Sequence, residues 1–262
     1  MTENILQAID ERGVATVTLN RPEAHNAIDD ALILRLTETL QFLEADRTVR
    51  IIVLNAAGPS FCAGGDADWM RRVSAYTLTE NVADAERLAA LMRTLDRLSK
   101  PTIAVVHGAT FASGVGLVAC CDIAIAAESA TFRLTEVNLG LVPAVISPYV
   151  VRAIGGRQAR RYFQSAERIP AGRAREIGLV HEVVMPEALG GQLETCIRAI
   201  LQGAPGAQAA AKDLVFLNDA HALDEALIAE TARRIADRRI TDEAREGLEA
   251  FLEKRRPTWR AG

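Results

Sequence analysis

Phe61-Cys62-Ala63-Gly64-Gly65-Asp66 follows the apolar run Ile51-Ile52-Val53-Leu54, and Phe111-Ala112-Ser113-Gly114-Val115-Gly116 follows Thr102-Ile103-Ala104-Val105-Val106. Each is a small-residue turn between a strand-like run and a helix start. Short runs that are apolar throughout read as strands buried on both faces. A glycine turn into a helix leaves the first backbone N–H groups unpaired and aims them at one spot. Two such turns can hold one developing negative charge between them, which points to an enzyme that stabilises an oxyanion with backbone. Gly64 and Gly65 allow close approach of a ligand to the chain, and Asp66 stands where a carboxylate caps a helix. Taken singly, the first turn also reads as a plain tight turn and the second as close helix packing through small residues. Their pairing is the specific signal.

Outward from these turns the chain alternates. Val14–Leu19 reads as a strand, ended by Asn20-Arg21-Pro22. Asp29-Asp30 caps a helix to about Ala45, with Leu32, Leu36, Leu40 and Leu43 on one face. Thr77-Leu78-Thr79-Glu80 is a capping box that opens a helix through Leu98, and Lys100-Pro101 stops it. A helix near 117–120 and a strand at 122–126 follow. The blocks 51–98 and 102–120 form a weak internal repeat of strand, glycine turn and helix. Beyond about residue 145 strands become rare, and 159–163, 171–177, 187–201, 206–217, 224–240 and 242–254 read as helical. The C-terminal part is therefore a helical appendage to an α/β core, suited to assembly or to packing back on that core.

Composition bounds the function. The chain has 262 residues, 49% hydrophobic and 24% charged, with a formal net charge of −4. That length buries a core without staples, and the acidic balance argues against nucleic-acid binding by bulk electrostatics. The arginine pairs, such as Arg160-Arg161 and Arg233-Arg234, read as solvated helix faces. Cys62, Cys120, Cys121 and Cys196 show no metal spacing, and His25, His107, His181 and His221 form no H-E-x-x-H, so no metal site is expected. No secretory signal is expected, because Met1-Thr2-Glu3-Asn4 is not a basic segment leading into an apolar one. Its longest apolar stretch, broken by Asp122, is not a membrane span, and the cytoplasm is the expected compartment.

Two other motifs fit poorly. Gly114-Val115-Gly116-Leu117-Val118-Ala119 matches the dinucleotide fingerprint, with Glu136 further on, but its first glycine does not follow directly on a strand. Ser113 suggests a nucleophile, yet Phe111 and Val115 occupy the glycine positions of a G-x-S-x-G elbow. For proton transfer the sequence offers Glu136, in the apolar stretch Leu134-Thr135-Glu136-Val137-Asn138-Leu139-Gly140-Leu141. An acid in such surroundings has a raised pKa and can act as acid or base near neutrality.

These residues together resemble the crotonase (enoyl-CoA hydratase/isomerase) family over nearly the whole chain. Asn20-Arg21-Pro22-Glu23-Ala24-His25-Asn26-Ala27 resembles the family's first CoA-binding segment, and Phe61–Asp66 its A-G-x-D turn. The resemblance implies an α/β fold, a spiral of repeated ββα units with a C-terminal helical trimerisation region. Residues 1–200 would form the core with its acyl-CoA site, and 201–262 the oligomerisation region. The Gly65 N–H and the N–H of Ser113, where the family usually has glycine, would hold the enolate oxygen of an acyl-CoA thioester. Glu136 matches the family's second catalytic acid. The same resemblance places Ala24, His25, Ala27, Ala63, Gly64, Asp66, Ala67, Trp69, Phe111, Gly114, Gly116, Thr135 and Ala144 along CoA or the acyl chain. Phe251 and Lys254 resemble the terminal helix that reaches CoA, typically on a neighbouring subunit of a trimer or a dimer of trimers. Coenzyme A would be part of the substrate, with no separate cofactor and no metal. Some relatives of the family bind RNA, a reading that the acidic charge disfavours.

Many hydratases of the family carry a second glutamate where this chain has Gly116. One acid could still serve hydration through a single water, or shuttle a proton between C2 and C4 of a 3-enoyl thioester. Asp66-Ala67-Asp68-Trp69-Met70, Gly116–Ala124 and Leu141–Val150 look like a bacterial subgroup that hydrates branched glutaconyl-CoA thioesters, such as 3-methylglutaconyl-CoA, in leucine or terpenoid breakdown. Hydration is therefore the expected reaction, with Gly116 leaving room for water, and isomerisation the alternative.

Overall fold

The computed structural model describes residues 3–260. In chain order its elements are β1 (Ile5–Ile9), β2 (Val14–Leu19), α1 (Asp30–Ala45), β3 (Ile51–Ala56), α2 (Ala67–Val73), α3 (Leu78–Arg97), β4 (Thr102–Val106), β5 (Ala109–Phe111) and α4 (Ser113–Cys120). There follow β6 (Ile123–Ala127), β7 (Thr131–Arg133), α5 (Ser147–Ser165), β8 (Ile169–Pro170), α6 (Ala171–Glu176), β9 (Glu182–Val184), α7 (Leu189–Leu201), α8 (Pro205–Ala220), α9 (Glu225–Arg239) and α10 (Asp242–Leu252). They fall into two compact units. One comprises the residues up to Leu98 with Thr102–Glu194, the other Ser99–Pro101 with the residues from Thr195 on.

The first unit is a spiral built from one repeating move. A strand joins a six-stranded sheet of order β1-β2-β3-β4-β6-β9, and the next extended residues join a second strip before a helix returns the chain. In the larger sheet β1 pairs antiparallel with β2, and each later neighbour is parallel, with Val14 opposite Ile51, Ile52 opposite Thr102, Ile103 opposite Ile123 and Ile125 opposite Glu182. The second strip runs from the Ile28–Gly65 bridge through the Cys62–Thr110 bridge to the parallel pair β5–β7, closed by antiparallel β8. Thus β2, β3, β4 and β6 each open a turn of the spiral. The sequence repeat of two blocks is two of four such turns.

Patterning explains the layers. Ile51–Leu54 are buried side chains on both faces of β3, as a central parallel strand requires. The α1 helix buries Leu32, Ile33, Leu36, Leu40 and Leu43, and Asp29 caps it by accepting from Leu32 N–H at 2.7 Å. Thr77 and Glu80 form the expected capping box of α3, which buries Leu88, Leu91, Met92 and Leu95. These faces share one core with Phe61, Phe132 and Tyr162. Some strands go unforeseen, and two expected helices need correction. The β1 strand was not expected, because only Ile5 of its side chains is buried and no alternation marks it. The strands β5 and β7 are too short for a period to show. The helix expected over 159–163 runs from Ser147, across a non-helical Gly155. The last helix ends at Leu252, short of Lys254, which takes up a left-handed φ of 55°.

The second unit contains α8, α9 and α10, with α9 capped by Asp224 and α10 by Thr241. No residue of α8 is fully buried, and Ile228, Ile235, Ile240, Leu248, Phe251 and Leu252 are exposed. Among the described residues no helix is long and apolar enough to cross a membrane.

Candidate active site

The two glycine turns meet. Phe111 N–H donates to Cys62 O at 2.8 Å, and Cys62 N–H to Ala109 O at 3.1 Å. A Cβ added to Gly64 would lie 3.2 Å from Ala112 Cβ, and one added to Gly114 would lie 2.7 Å from Cys62 O. Gly64 has φ +98°, a conformation that a side chain would strain. Ala112 caps α4 with φ 46° and ψ −115°, an outlier for a residue with a Cβ. Such strain persists only where the surroundings impose it. Here the Ala112 N–H is bound to Arg133 O at 2.8 Å, and its carbonyl accepts from Val115 and Gly116.

In the first turn Asp66 N–H binds Ile28 O at 2.8 Å and Ala63 N–H binds His25 O at 3.0 Å. Among the described residues none accepts from the Gly65 N–H or from the Ser113 N–H. Ser113 is buried, so a donor there without a partner costs free energy unless a ligand accepts from it. The geometry leaves free backbone donors, those of Gly65 and Ser113 among them, on two turns that touch.

Glu136 reaches the same turns through the backbone. Phe111 pairs with Arg133 in the β5–β7 register, and Glu136 opens the short 3-10 helix Glu136–Leu139 just beyond β7, after Thr135 at its N-cap. Its Oε2 is buried without a hydrogen-bond partner. Burial pushes the carboxyl above the usual glutamate range, opposed by its own backbone N–H. A half-buried carboxylate with one oxygen left without a partner is suited to exchanging protons rather than to holding structure.

The remaining candidates divide. Ala24, His25 and Ala27 lie on a tight loop in which His25 and Asn26 are left-handed, and His25 Nδ1 lies 3.0 Å from Ser60 Oγ. Buried Asn26 clamps the loop by donating to Ala57 O and Ser60 O, both at 2.8 Å. Asp66 is already occupied: it caps α2 through the Asp68 and Trp69 N–H groups and pairs with Arg21 at 2.9 Å. Burial works to raise its pKa, but the Trp69 N–H, Arg21 and the Asp68 N–H outweigh it and hold the carboxyl below its ordinary value. Ala67 is exposed at the start of α2, and half-buried Trp69 donates through Nε1 to Asp84 at 3.3 Å. Ala144 is exposed, while Phe251 and Lys254 are exposed residues of the second unit. Burial drives the Cys62 thiol up to about 12, which makes it inert packing.

One expectation is overturned. Gly116 does not leave room for water, because a Cβ there would lie 2.3 Å from Ile146 Cγ2. With Gly114 against Cys62 and Gly116 against Ile146, the dinucleotide fingerprint has no open backbone to offer a pyrophosphate either. Sequence reasoning missed Ile146, and it missed the brace formed by Arg21, which spans Asp29 at 2.8 Å, Asp66 and Ala27 O. Arg21 stood inside a quoted motif, but only folding brings its acidic partners to it.

The sequence pattern that describes enoyl-CoA hydratase/isomerase matches residues 10–262. The structure superposes on that of an enoyl-CoA hydratase from Shewanella pealeana with a TM-score of 0.95, at 41% identity, over 98% of this chain and 96% of that one. Crotonyl-CoA hydratase of Syntrophomonas wolfei is 31% identical, over 97% of this chain and 96% of its own. Trans-2-decenoyl-[acyl-carrier-protein] isomerase of Streptococcus mutans is also 31% identical, over 97% of each.

Proposed function

The chain belongs to the enoyl-CoA hydratase/isomerase family of the crotonase superfamily, and on that premise we propose that it adds water to a 2-enoyl-CoA thioester. The observation that carries this reading is a pair of unpaired N–H groups, on Gly65 and Ser113, on turns joined by backbone to Glu136, whose buried Oε2 has no partner. In the proposed step Glu136 takes a proton from water as the water oxygen bonds to C3. The C2–C3 π pair moves toward the thioester, whose oxygen becomes an enolate oxygen between the two donors. The enolate collapses as Glu136 returns a proton to C2. The sequence likeness at 66–70, 116–124 and 141–150 supports a branched glutaconyl-CoA, such as 3-methylglutaconyl-CoA, as substrate.

A second reading has its own support. Ile146 fills the side of α4 where another acid would stand, and a single carboxylate suffices to isomerise. Glu136 would take a proton from C2 of a 3-enoyl-CoA and return it at C4 through the same enolate. Both readings are tested on a panel of 2-enoyl-CoA and 3-enoyl-CoA esters in heavy-oxygen water. Hydration lowers the conjugated-thioester absorbance and places solvent oxygen in a 3-hydroxyacyl product. Rising absorbance from 3-enoyl esters alone, without oxygen incorporation, overturns the hydratase reading.

The assembly is proposed as a trimer or a dimer of trimers in which Lys254 reaches CoA of a neighbouring subunit. The exposed apolar side chains on α9 and α10 support it. Of the cations at 254–256, Arg255 is already paired with Glu246 and Glu253, both at 2.7 Å.

A further inference from the structure

Gly116 is a hole in the side of α4. A Cβ built there would lie 2.3 Å from Ile146 Cγ2, 2.9 Å from Ile146 Cβ and 3.3 Å from Met92 Cε. The branch methyl of Ile146 fills this hole, and Ile146 is only 2% exposed. Yet it ends a stretch whose Leu139, Leu141 and Val142 face solvent. From Glu136 to Ile146 that stretch is braced by short-range bonds at both ends. Leu141 N–H donates to Glu136 O at 3.0 Å, Ala144 N–H to Val142 O at 2.8 Å, and Ser147 N–H to Ala144 O at 3.2 Å. Glu136 and Ile146 are therefore the two ends of one short segment, ten residues apart along the chain. The isoleucine end is seated in the helix that begins at Ser113. A methyl packed in a glycine hole fixes position sharply, because a small displacement either overlaps atoms or opens a void.

We propose that Ile146 is a positioning residue, whose Cγ2 methyl in the Gly116 hole sets the placement of Glu136 relative to the Ser113 N–H and keeps the site to a single acid. The proposal rests on the roles given above to Glu136 and Ser113. It accounts for the branch methyl of Ile146 standing where a side chain at 116 would begin.

The test uses the full chain and the enoyl-CoA ester turned over best in the panel above. Ile146→Val keeps the Cβ branch and should hold kcat within about twofold. Ile146→Leu keeps the volume but removes the branch, and should lower kcat about tenfold or more with KM changed less than threefold, as a misplaced catalytic group does. Gly116→Ala should lower turnover in the parent yet raise it in the Ile146→Gly background, a reversal of sign that only coupled sites show. Equal turnover of folded Ile146→Val and Ile146→Leu overturns the proposal, and so does an alanine at 116 that acts alike in both backgrounds. Should Ile146→Leu not fold, the sign reversal decides. Glu136→Gln in the same assay separates the two failures. An active Glu136→Gln overturns the role of the acid itself, whereas an inactive one beside a parent-like Ile146→Leu overturns only the role of Ile146.

Discussion

Glu136 combines properties that rarely serve stability: a buried oxygen without a partner and a carboxyl raised by burial. Folding holds its proton more tightly than the unfolded chain does. The stability it contributes is complete below the ordinary glutamate pKa and is lost as pH rises through the raised folded value. Glu136→Gln should therefore be more stable than the parent at pH 7, with the gap closing in acid, as read by chemical denaturation at several pH values. Its turnover should fall at least about a hundredfold. As a base the carboxyl must be ionised, so the rising limb of kcat/KM against pH should lie above the ordinary glutamate range. A limb at or below that range would contradict the environment seen here. At the same scale, Ser113→Ala should keep most activity, since the proposed donor is its backbone N–H.

The elements decide what the turns can do. The first turn is held between Arg21, Asp66 and the start of α2, and the second between Ala112, Arg133 and α4. Gly65→Pro deletes one free N–H and should cost roughly a hundred- to thousandfold in kcat where the fold survives. Asp66→Ala removes the cap of α2 and a partner of Arg21, and should cost about 1–2 kcal/mol in denaturant unfolding. An unchanged stability with a sharply raised KM for acyl-CoA would instead make Asp66 a ligand-binding residue. The helices were legible because a face and a cap recur with a period. The strands β5 and β7 were not, because three residues carry no period.

At the scale of the molecule, the second unit carries large apolar side chains in solvent. Phe251 and Leu252 are both more than three-quarters exposed at the end of α10. Deleting the chain beyond about Leu248 should weaken CoA binding and shift the sedimentation coefficient together. A truncated protein that still sediments as the parent and binds CoA normally would refute the proposed link between assembly and the site.

The sequence by itself determined the α/β alternation, the two glycine turns, the capping box of α3 and the isolation of Glu136 in apolar surroundings. These are local matters, set by period, cap and backbone freedom within a few residues. The tertiary structure alone decided that there are four turns of the spiral, that the Gly65 and Ser113 donors are left free, and that Asp66 is held by Arg21. It also decided that Ile146, and not water, occupies the space beside Gly116. Each depends on residues far apart in the chain meeting at packing distance. Which atom fills a gap left by a missing side chain is settled by the facing element, and no spacing along the chain encodes it.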